Sequence, residues 1–272
     1  LRAGPVMLMD ETTVQVLDEP DRPDTARSYM WAAYGGRPEE PVVYYHYAPS
    51  RATHVAETVA GDFAGYLQAD GYEAYERLAR NRVDLTLVGC WAHTRRKFFD
   101  AKSAGKKTAA ADQAIAMISR IYRVETELAD MPRDNVFVAA RRKRVEPILS
   151  QFKAWLDKKA LHVPPQTALG KAVGYALDQW DRLARYLDSP HLTPDTNRIE
   201  NKIRPFVVGR KNWLFSGSPR GAQASANLYS LIETAKANEI EPYRYLRALI
   251  SQLPKAHDYR ALLPQNIDLT AQ

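Results

Sequence analysis

Apolar residues near the start of the chain follow the pattern of three consecutive strands. The apolar run at 6–10 ends in an acid, as in a buried central strand, and the alternation at 13–17 extends it. The runs at 28–34 and 42–47 are rich in aromatic and β-branched residues and flank a turn-rich loop. We therefore expect a meander of three antiparallel strands.

Helical and strand patterns then alternate along the chain. Val55, Val59, Phe63 and Leu67 recur near helical spacing, which predicts a first helix. The elements predicted after it are a short strand ending at Asp70, a helix at 73–82, a strand at 84–93, a helical block at 108–188, a helix that carries Glu200 and ends at Gly209, and two helices at 224–240 and 241–253.

The order of these elements predicts the fold class. Strands joined by a short turn pair antiparallel, whereas strands joined through a helix pair in parallel. We expect an α/β fold with a ribonuclease-H-like mixed five-stranded sheet, flanking helices and an all-helical insertion. The expected segments are 1–101 for the first part of the core, 102–190 for the insertion, 191–222 for the second part of the core and 223–272 for a C-terminal helical segment.

Composition limits the possible classes of protein. With 272 residues, 45% hydrophobic and 26% charged, the chain can bury the core of one large domain, and no apolar run is long enough to span a membrane. The single cysteine, Cys90, excludes an internal disulfide and a multi-cysteine zinc site, which favours a cytoplasmic protein. Because the chain begins with Leu1, we expect it to be part of a longer protein. The net charge of +6 favours a polyanionic partner, although weakly.

Asp10 closes the apolar run of the first predicted strand, Asp70 ends a later one, and a buried carboxylate needs a cation or hydrogen-bond donors. If those strands are neighbours, the two side chains converge, and Glu200 on a packed helix supplies a third carboxylate. Three carboxylates suit Mg²⁺ or Mn²⁺, and a pair of such ions about 3.5–4 Å apart promotes phosphodiester cleavage. The pattern therefore predicts a two-ion site.

Spacing alone leaves alternatives to these acids. Glu11 is adjacent to Asp10, and Asp62 and Asp84 lie near Asp70 in the sequence. An aspartate at a strand end is also more often a turn or cap residue than a metal ligand. The choice among these carboxylates therefore stays open at this point.

The helix around Glu200 has one polar face. Asn197, Asn201 and Arg204 share this face with Glu200 at helical spacing. A catalytic site fits such a face, and a solvated helix face has a similar composition. The opposite face is apolar and carries Ile199, Ile203 and either Phe206 or Val207.

The segment from 195 to 221 is basic and aromatic, with six cations against two acids. Lysine and arginine neutralise phosphates, amide side chains bond the DNA backbone, and aromatic rings stack on unpaired bases. The aromatic residues of such a segment are also typical of a protein core. The residues expected to bind DNA in this segment are Arg204, Arg210, Lys211, Asn212 and Trp213, with Phe215 as the alternative aromatic residue.

A second basic segment follows the predicted fifth strand. His93 is predicted to end that strand beside the acids or the scissile phosphate, although a lone histidine is more often structural. Phe98 and Phe99 are expected in the core. The basic run at 140–144 lies on an insertion helix and fits DNA binding, a subunit contact or a solvated face. The residues expected to line a DNA channel are Arg95, Arg96 and Lys97.

Several segments of the chain resemble the insertion sequence 66 family of transposases. The segments that carry the resemblance are MDETTVQVL at 9–17, LQADGYEAY at 67–75, GCWAHTRRKFFDA at 89–101 and NRIENKIRPFVVGRKNWLFSGSPRGA at 197–222. A further segment, LYSLIETAKANEIEPYRYL at 228–246, is similar to the C-terminal part of that family. The resemblance thus covers nearly the whole chain, since only the helical block lacks distinctive motifs.

The resemblance implies a DDE transposase with a ribonuclease-H-like core. It selects Asp10, Asp70 and Glu200 as the three catalytic acids and implies Mg²⁺ or Mn²⁺ as the cofactor. The implied reaction is DNA strand cleavage at transposon ends followed by transfer of the 3′-hydroxyl into target DNA. The resemblance also implies a homo-oligomer on DNA, small companion proteins of the same element, an upstream DNA-binding region and a nucleoid-associated protein of the bacterial cytoplasm.

Two other functions fit the same sequence features. One is a DNA-binding protein that is derived from a transposase and no longer cuts DNA. The other is a ribonuclease-H-like nuclease or resolvase that hydrolyses DNA without joining strands. Dependence on divalent ions tests the first alternative, and analysis for joined products tests the second.

Overall fold

A computed structural model of the chain describes residues 1–104 and 109–269. The predicted insertion includes residues 105–108, and the predicted C-terminal segment ends at residues 270–272, all of which lie outside the described residues. Over the described ranges, the chain forms a six-stranded mixed sheet and ten α-helices, which confirms the predicted α/β class.

The sheet is built around the N-terminal meander. Its strands are β1 (Val6–Val16), β2 (Arg27–Arg37), β3 (Glu40–Ala48), β4 (Gly65–Gln68), β5 (Leu85–Val88) and β6 (Phe215–Ser216). The order is β3-β2-β1-β4-β5, and β6 pairs parallel with β1. The predicted antiparallel pairing of the first three strands is confirmed. β6 escapes prediction because two residues are too few to show a periodic pattern.

Ten helices are described besides the sheet. They are α1 (Thr53–Ala60), α2 (Glu73–Arg80), α3 (Trp91–Ala104), α4 (Ala109–Glu127), α5 (Asn135–His162), α6 (Ala168–Asp178), α7 (Trp180–Ala184), α8 (Asn197–Trp213), α9 (Pro219–Ala237) and α10 (Pro242–Gln252). The helical block and the two C-terminal helices are therefore confirmed over the part of the chain that the structure describes. Among those residues, no helix has the length and apolar content needed to cross a membrane.

The predicted end of the fifth strand is wrong. β5 ends at Val88 and α3 begins at Trp91, so His93 lies in the first turn of a helix and not at a strand end. The apolar run continues across this boundary because Cys90 and Trp91 are also buried. A continuous apolar run does not by itself separate a buried strand from a buried helix.

The predicted end of the helix that carries Glu200 is also wrong. α8 continues past Gly209 to Trp213. A Cβ atom added at Gly209 would lie 2.8 Å from the Tyr229 hydroxyl and 2.9 Å from Trp213 Nε1. Glycine at this position therefore permits close packing inside the helix instead of ending it.

The chain divides into two compact units. The first unit comprises Leu1–Leu67, Glu73–Thr86 and Asn197–Gln272, and the second comprises Gln68–Tyr72 and Leu87–Thr196. The functional segments expected from the sequence stay a prediction.

Each unit has a core of its own. In the first unit, Met7, Leu8 and Met9 of β1 are all buried, so both faces of this strand are covered. In the second unit, the side chains that form an aromatic cluster are Trp91, Phe98, Phe152, Trp155 and Trp180.

Candidate active site

Asp10 lies within β1 on the sheet face that α8 covers. Its register partner is Ala32 on β2, whose partner on β3 is Tyr45, and directly paired residues point to the same face. The Tyr45 hydroxyl donates to the Lys202 carbonyl, and the Tyr45 ring lies 6.4 Å from that of Phe206. Asp10 is half-buried, and its Oδ1 accepts a hydrogen bond from the adjacent backbone N–H at 2.9 Å.

Glu11, the alternative to Asp10, points to the opposite face of the sheet. Its Oε1 accepts from Arg51 Nε at 2.5 Å, and its Oε2 accepts from the Tyr75 hydroxyl. Only 2% of its side chain is exposed. Both carboxylate oxygens therefore hold neighbouring elements of the first unit together, which is a structural role.

Glu200 lies in the first turn of α8, which packs against β1 and β2. α8 packs against the sheet through its apolar face, and the sequence pattern predicted this face. The buried residues of that face are Ile199, Ile203 and Phe206. On the other side, Asn197, Asn201 and Arg204 are exposed, while Glu200 is half-buried. A carboxylate at a helix N-terminus is also stabilised by the helix dipole.

Arg210 anchors the C-terminal half of α8 to β1. Its Nη1 donates to the Oγ1 atoms of Thr12 and Thr13, each at 3.1 Å. Thr12 shares the sheet face of Asp10 because the two residues are separated by one position along the strand. The sequence pattern missed both threonines, since the contact with Thr12 spans 198 residues and leaves no local signal.

Asp70 belongs to the second unit and lies in a turn two residues after β4. Its Oδ1 accepts from the Tyr72 N–H at 2.9 Å, which closes the turn. Gly71 packs so closely on Tyr175 that an added Cβ would lie 2.8 Å from Cε2 of that ring. The turn is also fixed on its N-terminal side, where Gln68 Nε2 donates to the Thr193 carbonyl at 2.7 Å. Asp70 is half-buried.

The alternatives to Asp70 form ion pairs in the first unit. Asp62 is 87% exposed and lies 3.0 Å from Arg2 Nη1. Asp84 accepts from Arg82 Nε at 3.0 Å, and Arg82 also donates to the Phe63 carbonyl at 2.6 Å. These contacts give both acids structural partners on the surface.

Cys90 and His93 lie at the start of α3 in the second unit. Cys90 is buried, and its Sγ accepts from Thr196 N at 3.4 Å and from Thr196 Oγ1 at 3.2 Å. Burial raises the pKa of the Cys90 thiol to about 11, so the thiol is neutral at pH 7. The helix start is fixed by Trp91, whose backbone N–H donates to the Pro194 carbonyl at 2.8 Å.

The basic residues of α3 are divided between contacts with aromatic rings and solvent. The Arg95 guanidinium lies 5.2 Å from the centre of the Phe99 ring, and Lys97 Nζ lies 5.5 Å from that of Tyr175. Arg96 and Lys97 are exposed. Phe98 is buried as predicted, whereas the core prediction for Phe99 is wrong because 41% of this residue is exposed.

The C-terminal end of α8 combines exposed polar residues with packed aromatic rings. Lys211 and Asn212 are exposed, as a DNA contact requires. Trp213 is half-buried and packs edge-on against Phe206, with ring centres 5.3 Å apart. Phe215 is 44% exposed. Of the two aromatic residues considered for base stacking, Phe215 is therefore the more accessible.

Comparison with protein families gives two matches along the chain. A model described as the transposase IS66 family matches residues 1–224. A second model, described as the IS66 C-terminal element, matches residues 230–265. Together the matches leave out only residues 225–229 and 266–272, and they include all of the segments that resemble the family except residues 228 and 229.

Curated relatives occur in Sinorhizobium fredii. The uncharacterized proteins y4qI and y4jD are each 33% identical to this chain over 98% of its length. The aligned parts make up 51% and 54% of those proteins, so the chain spans about half the length of the curated relatives it matches. A cryo-electron-microscopy structure of a simian T-cell lymphotropic virus intasome with the PP2A regulatory subunit B56 gamma matches 52% of this chain and 48% of that chain at 8% identity. The TM-score of this match is 0.24.

Proposed function

We propose that this chain, which belongs to the transposase IS66 family, cuts and joins DNA with Asp10, Asp70 and Glu200 as its catalytic acids. The observation that carries the proposal is the packing of α8 against β1. Asp10 lies on the sheet face that α8 covers, and Glu200 lies in the first turn of α8. The competing carboxylate of Glu11 lies on the opposite face and is occupied by Arg51 and Tyr75.

We assign the core to the ribonuclease-H-like class. The strand order β3-β2-β1-β4-β5 supports this assignment, since an antiparallel meander is continued by strands reached through helices. Asp10 lies in the middle of β1 and not at its end, so the expectation of a site at strand ends applies to Asp70 alone. β1 and β4 are neighbours in the sheet order. In this sheet, β1 carries Asp10, and β4 leads into the turn that carries Asp70.

The proposed cofactor is a pair of Mg²⁺ or Mn²⁺ ions, which the three acids would hold. Carboxylate oxygens are the hard donors that these ions prefer, so the residues fit the cofactor. Half-burial of Asp10 and Glu200 also fits, because a carboxylate withdrawn from water gains more from a cation than an exposed one. When bound, such ions favour deprotonation of the attacking hydroxyl and stabilise the leaving oxygen.

The proposed reaction consists of two substitutions at phosphorus. In the first, water attacks a phosphodiester at the transposon end, the bond between phosphorus and the 3′-oxygen breaks, and that oxygen takes up a proton. In the second, the freed 3′-hydroxyl attacks a target phosphodiester, loses its proton and displaces another 3′-oxygen. The second step keeps the number of phosphodiester bonds constant, so it needs no external energy source.

Other side chains are proposed to hold the DNA. The exposed residues suited to this role are Arg204, Lys211 and Asn212 on α8 and Arg96 and Lys97 on α3. Arg210 and Trp213 also form internal contacts, so in our proposal they position α8 as well as approach DNA. Arg95 and His93 complete the proposed α3 contribution. Assembly on paired ends, companion proteins of the element and association with the bacterial nucleoid belong to the same proposal.

The proposal predicts that removal of a single catalytic acid abolishes cleavage and joining. The full-length protein is incubated with labelled transposon-end DNA, a target plasmid and Mg²⁺ or Mn²⁺, and both nicked and joined products are measured. Asp70→Asn and Glu200→Gln keep the size of each side chain but remove its charge. We expect both variants to give no more product than a sample without protein.

Asp62→Asn is the matched control, because Asp62 is exposed and its ion pair with Arg2 lies at the surface. We expect this variant to keep full activity. Wild-type activity in Asp70→Asn would end the proposal. Nicking without joining by the wild-type protein would instead assign the chain to the nucleases.

A further inference from the structure

The exposed face of α10 carries cations and an aromatic residue but no acid. At 3.6 residues per turn, its five exposed positions fall within about one third of the helix circumference. These residues are Tyr243, Arg244, Arg247, Ile250 and Ser251. Tyr243 is 73% exposed, and α10 itself contains no aspartate or glutamate. A solvated helix face usually mixes both signs of charge, so this composition is unusual.

The orientation of this face is fixed by the packing of the opposite side. Tyr245 and Ala248 are buried in a C-terminal cluster with Ala235 of α9 and Ile267. The Tyr245 hydroxyl donates to the Leu262 carbonyl at 3.0 Å. The cationic face is therefore held outward by a core and by a buried hydrogen bond.

The cations on and beyond α10 form no internal ion pair in the part of the chain that the structure describes. Arg244 and Arg247 are exposed, as are Lys255 and Arg260 just after the helix. Arginines of α5 differ in this respect. Arg142 pairs with Glu146 and Asp188, and Arg144 pairs with Glu127.

Two acids that flank α10 in the sequence, Glu241 and Asp258, are engaged by backbone groups. Both carboxylate oxygens of Glu241 cap the helix and accept from the N–H groups of Tyr243 and Arg244, at 3.0 and 2.6 Å. Asp258 accepts from the backbone N–H of Arg260 at 2.9 Å. Glu241 caps the N-terminus of α10, and Asp258 follows the helix by six residues, so neither belongs to its exposed arc, and the guanidinium groups are available to an external anion.

We propose that this face of α10, continued by Lys255 and Arg260, binds the phosphate backbone of DNA. The choice of DNA as the polyanion rests on the proposed transposase function, whereas the charge and exposure of the face stand independently of it. Arginine binds phosphate oxygens through two parallel N–H groups, and each neutralised phosphate releases counterions. The contact is with the backbone, so it adds affinity without base specificity. It would give the C-terminal element a DNA contact of its own, separate from the basic residues of α8 and α3.

The test compares DNA binding by the full-length protein and its Arg244→Gln/Arg247→Gln variant. Fluorescence anisotropy of a labelled transposon-end duplex is measured in EDTA, from about 50 to 200 mM salt, the range over which phosphate contacts lose most of their strength. We expect weaker binding at low salt. The slope of log K against log salt should fall by about two, since two phosphate contacts are lost.

The control variant, Arg80→Gln/Arg123→Gln, removes the same charge from exposed arginines on α2 and α4. We expect its binding curve to stay close to that of the wild type. An equal loss of DNA affinity in both variants would show that only the net charge matters. An unchanged DNA affinity in the α10 variant would assign the face to a protein partner. Either result would overturn the proposal. Because EDTA removes the divalent ions that cleavage needs, the measured DNA affinity does not depend on the proposed cleavage chemistry. Equal melting temperatures of the wild type and both variants check that all three proteins are folded.

Discussion

Arg141, a buried arginine within the basic run at 140–144, has a structural role. The Arg141 side chain is 0% exposed and lies 3.0 Å from the Glu125 carboxylate. Its guanidinium also donates to the carbonyls of Tyr186, Ser189 and Leu192 at 3.0–3.1 Å. Arg141 thereby fixes the loop that precedes α8 in the sequence. Burial raises the pKa of Glu125 above its ordinary value, against the opposing attraction of Arg141.

Arg141→Met is expected to destabilise the chain by about 3–5 kcal/mol at pH 7, because it leaves a buried carboxylate without its cation. Without Arg141, the pKa of Glu125 rises further, so the folded variant binds a proton more tightly than the unfolded chain does. The variant should therefore regain stability as the pH falls from 7 toward 5, and its difference from the wild type should narrow. Urea unfolding at several pH values measures this difference.

Lys143→Met, on the same helix but exposed, serves as the control and should change stability by no more than about 0.5 kcal/mol. A stability difference between Arg141→Met and the wild type that widens at low pH would contradict the assigned role of Glu125. The basic run at 140–144 did not reveal this role. Helical spacing from the buried Phe137 to the buried Val145 places Arg141 on the core stripe, and that spacing was the available signal.

At the scale of secondary-structure elements, the sequence predicts best where a periodic pattern lasts for several turns. α5 and α9 are identified in this way, because one stripe of each helix is buried against neighbours. Prediction fails between Val88 and Trp91, where strand, connection and helix are all buried and the apolar run has no period. It also fails at Gly209, where close packing and not chain reversal requires glycine.

The turn that carries Asp70 provides a test at this scale. Gly71→Ala should shift the turn or the Tyr175 ring, because the added methyl group would overlap Cε2 of that ring. We expect a loss of stability of about 1–3 kcal/mol, the usual cost of overpacking, together with reduced DNA cleavage. Tyr175→Leu removes the overlapping atoms, so the double variant Gly71→Ala/Tyr175→Leu should regain cleavage relative to Gly71→Ala alone.

A double-mutant cycle separates this coupling from independent damage at the two positions. Urea unfolding and cleavage are measured for the two single variants and the double variant. Additive losses would show that Gly71 and Tyr175 do not act together, and the packing argument for the Asp70 turn would then be wrong.

At the scale of the whole molecule, the net charge does not indicate which cations face solvent and which make internal contacts. The net charge of +6 only favours an anionic partner. Tertiary contacts decide which cations face solvent: Arg210 binds threonines of β1, whereas Lys211 is exposed one residue later. Asp10 and Glu11 are likewise neighbours on opposite faces, and alternation along a strand does not tell which face carries a helix. The family resemblance, and not spacing, selected Asp10.

Binding of divalent ions by the proposed acids should stabilise the folded chain. An ion that binds only the folded state at a free concentration 100 times its Kd adds about 2.7 kcal/mol to the free energy of unfolding. We therefore expect Mn²⁺ to raise the Tm of the wild-type protein by several degrees in a thermal scan, in a concentration-dependent manner. Asp10→Asn/Glu200→Gln should lose this response, whereas Asp62→Asn should keep it. An equal Tm shift in all three proteins would show that Mn²⁺ binds elsewhere, and no shift in the wild type would remove the ion-binding role from these carboxylates in the absence of DNA.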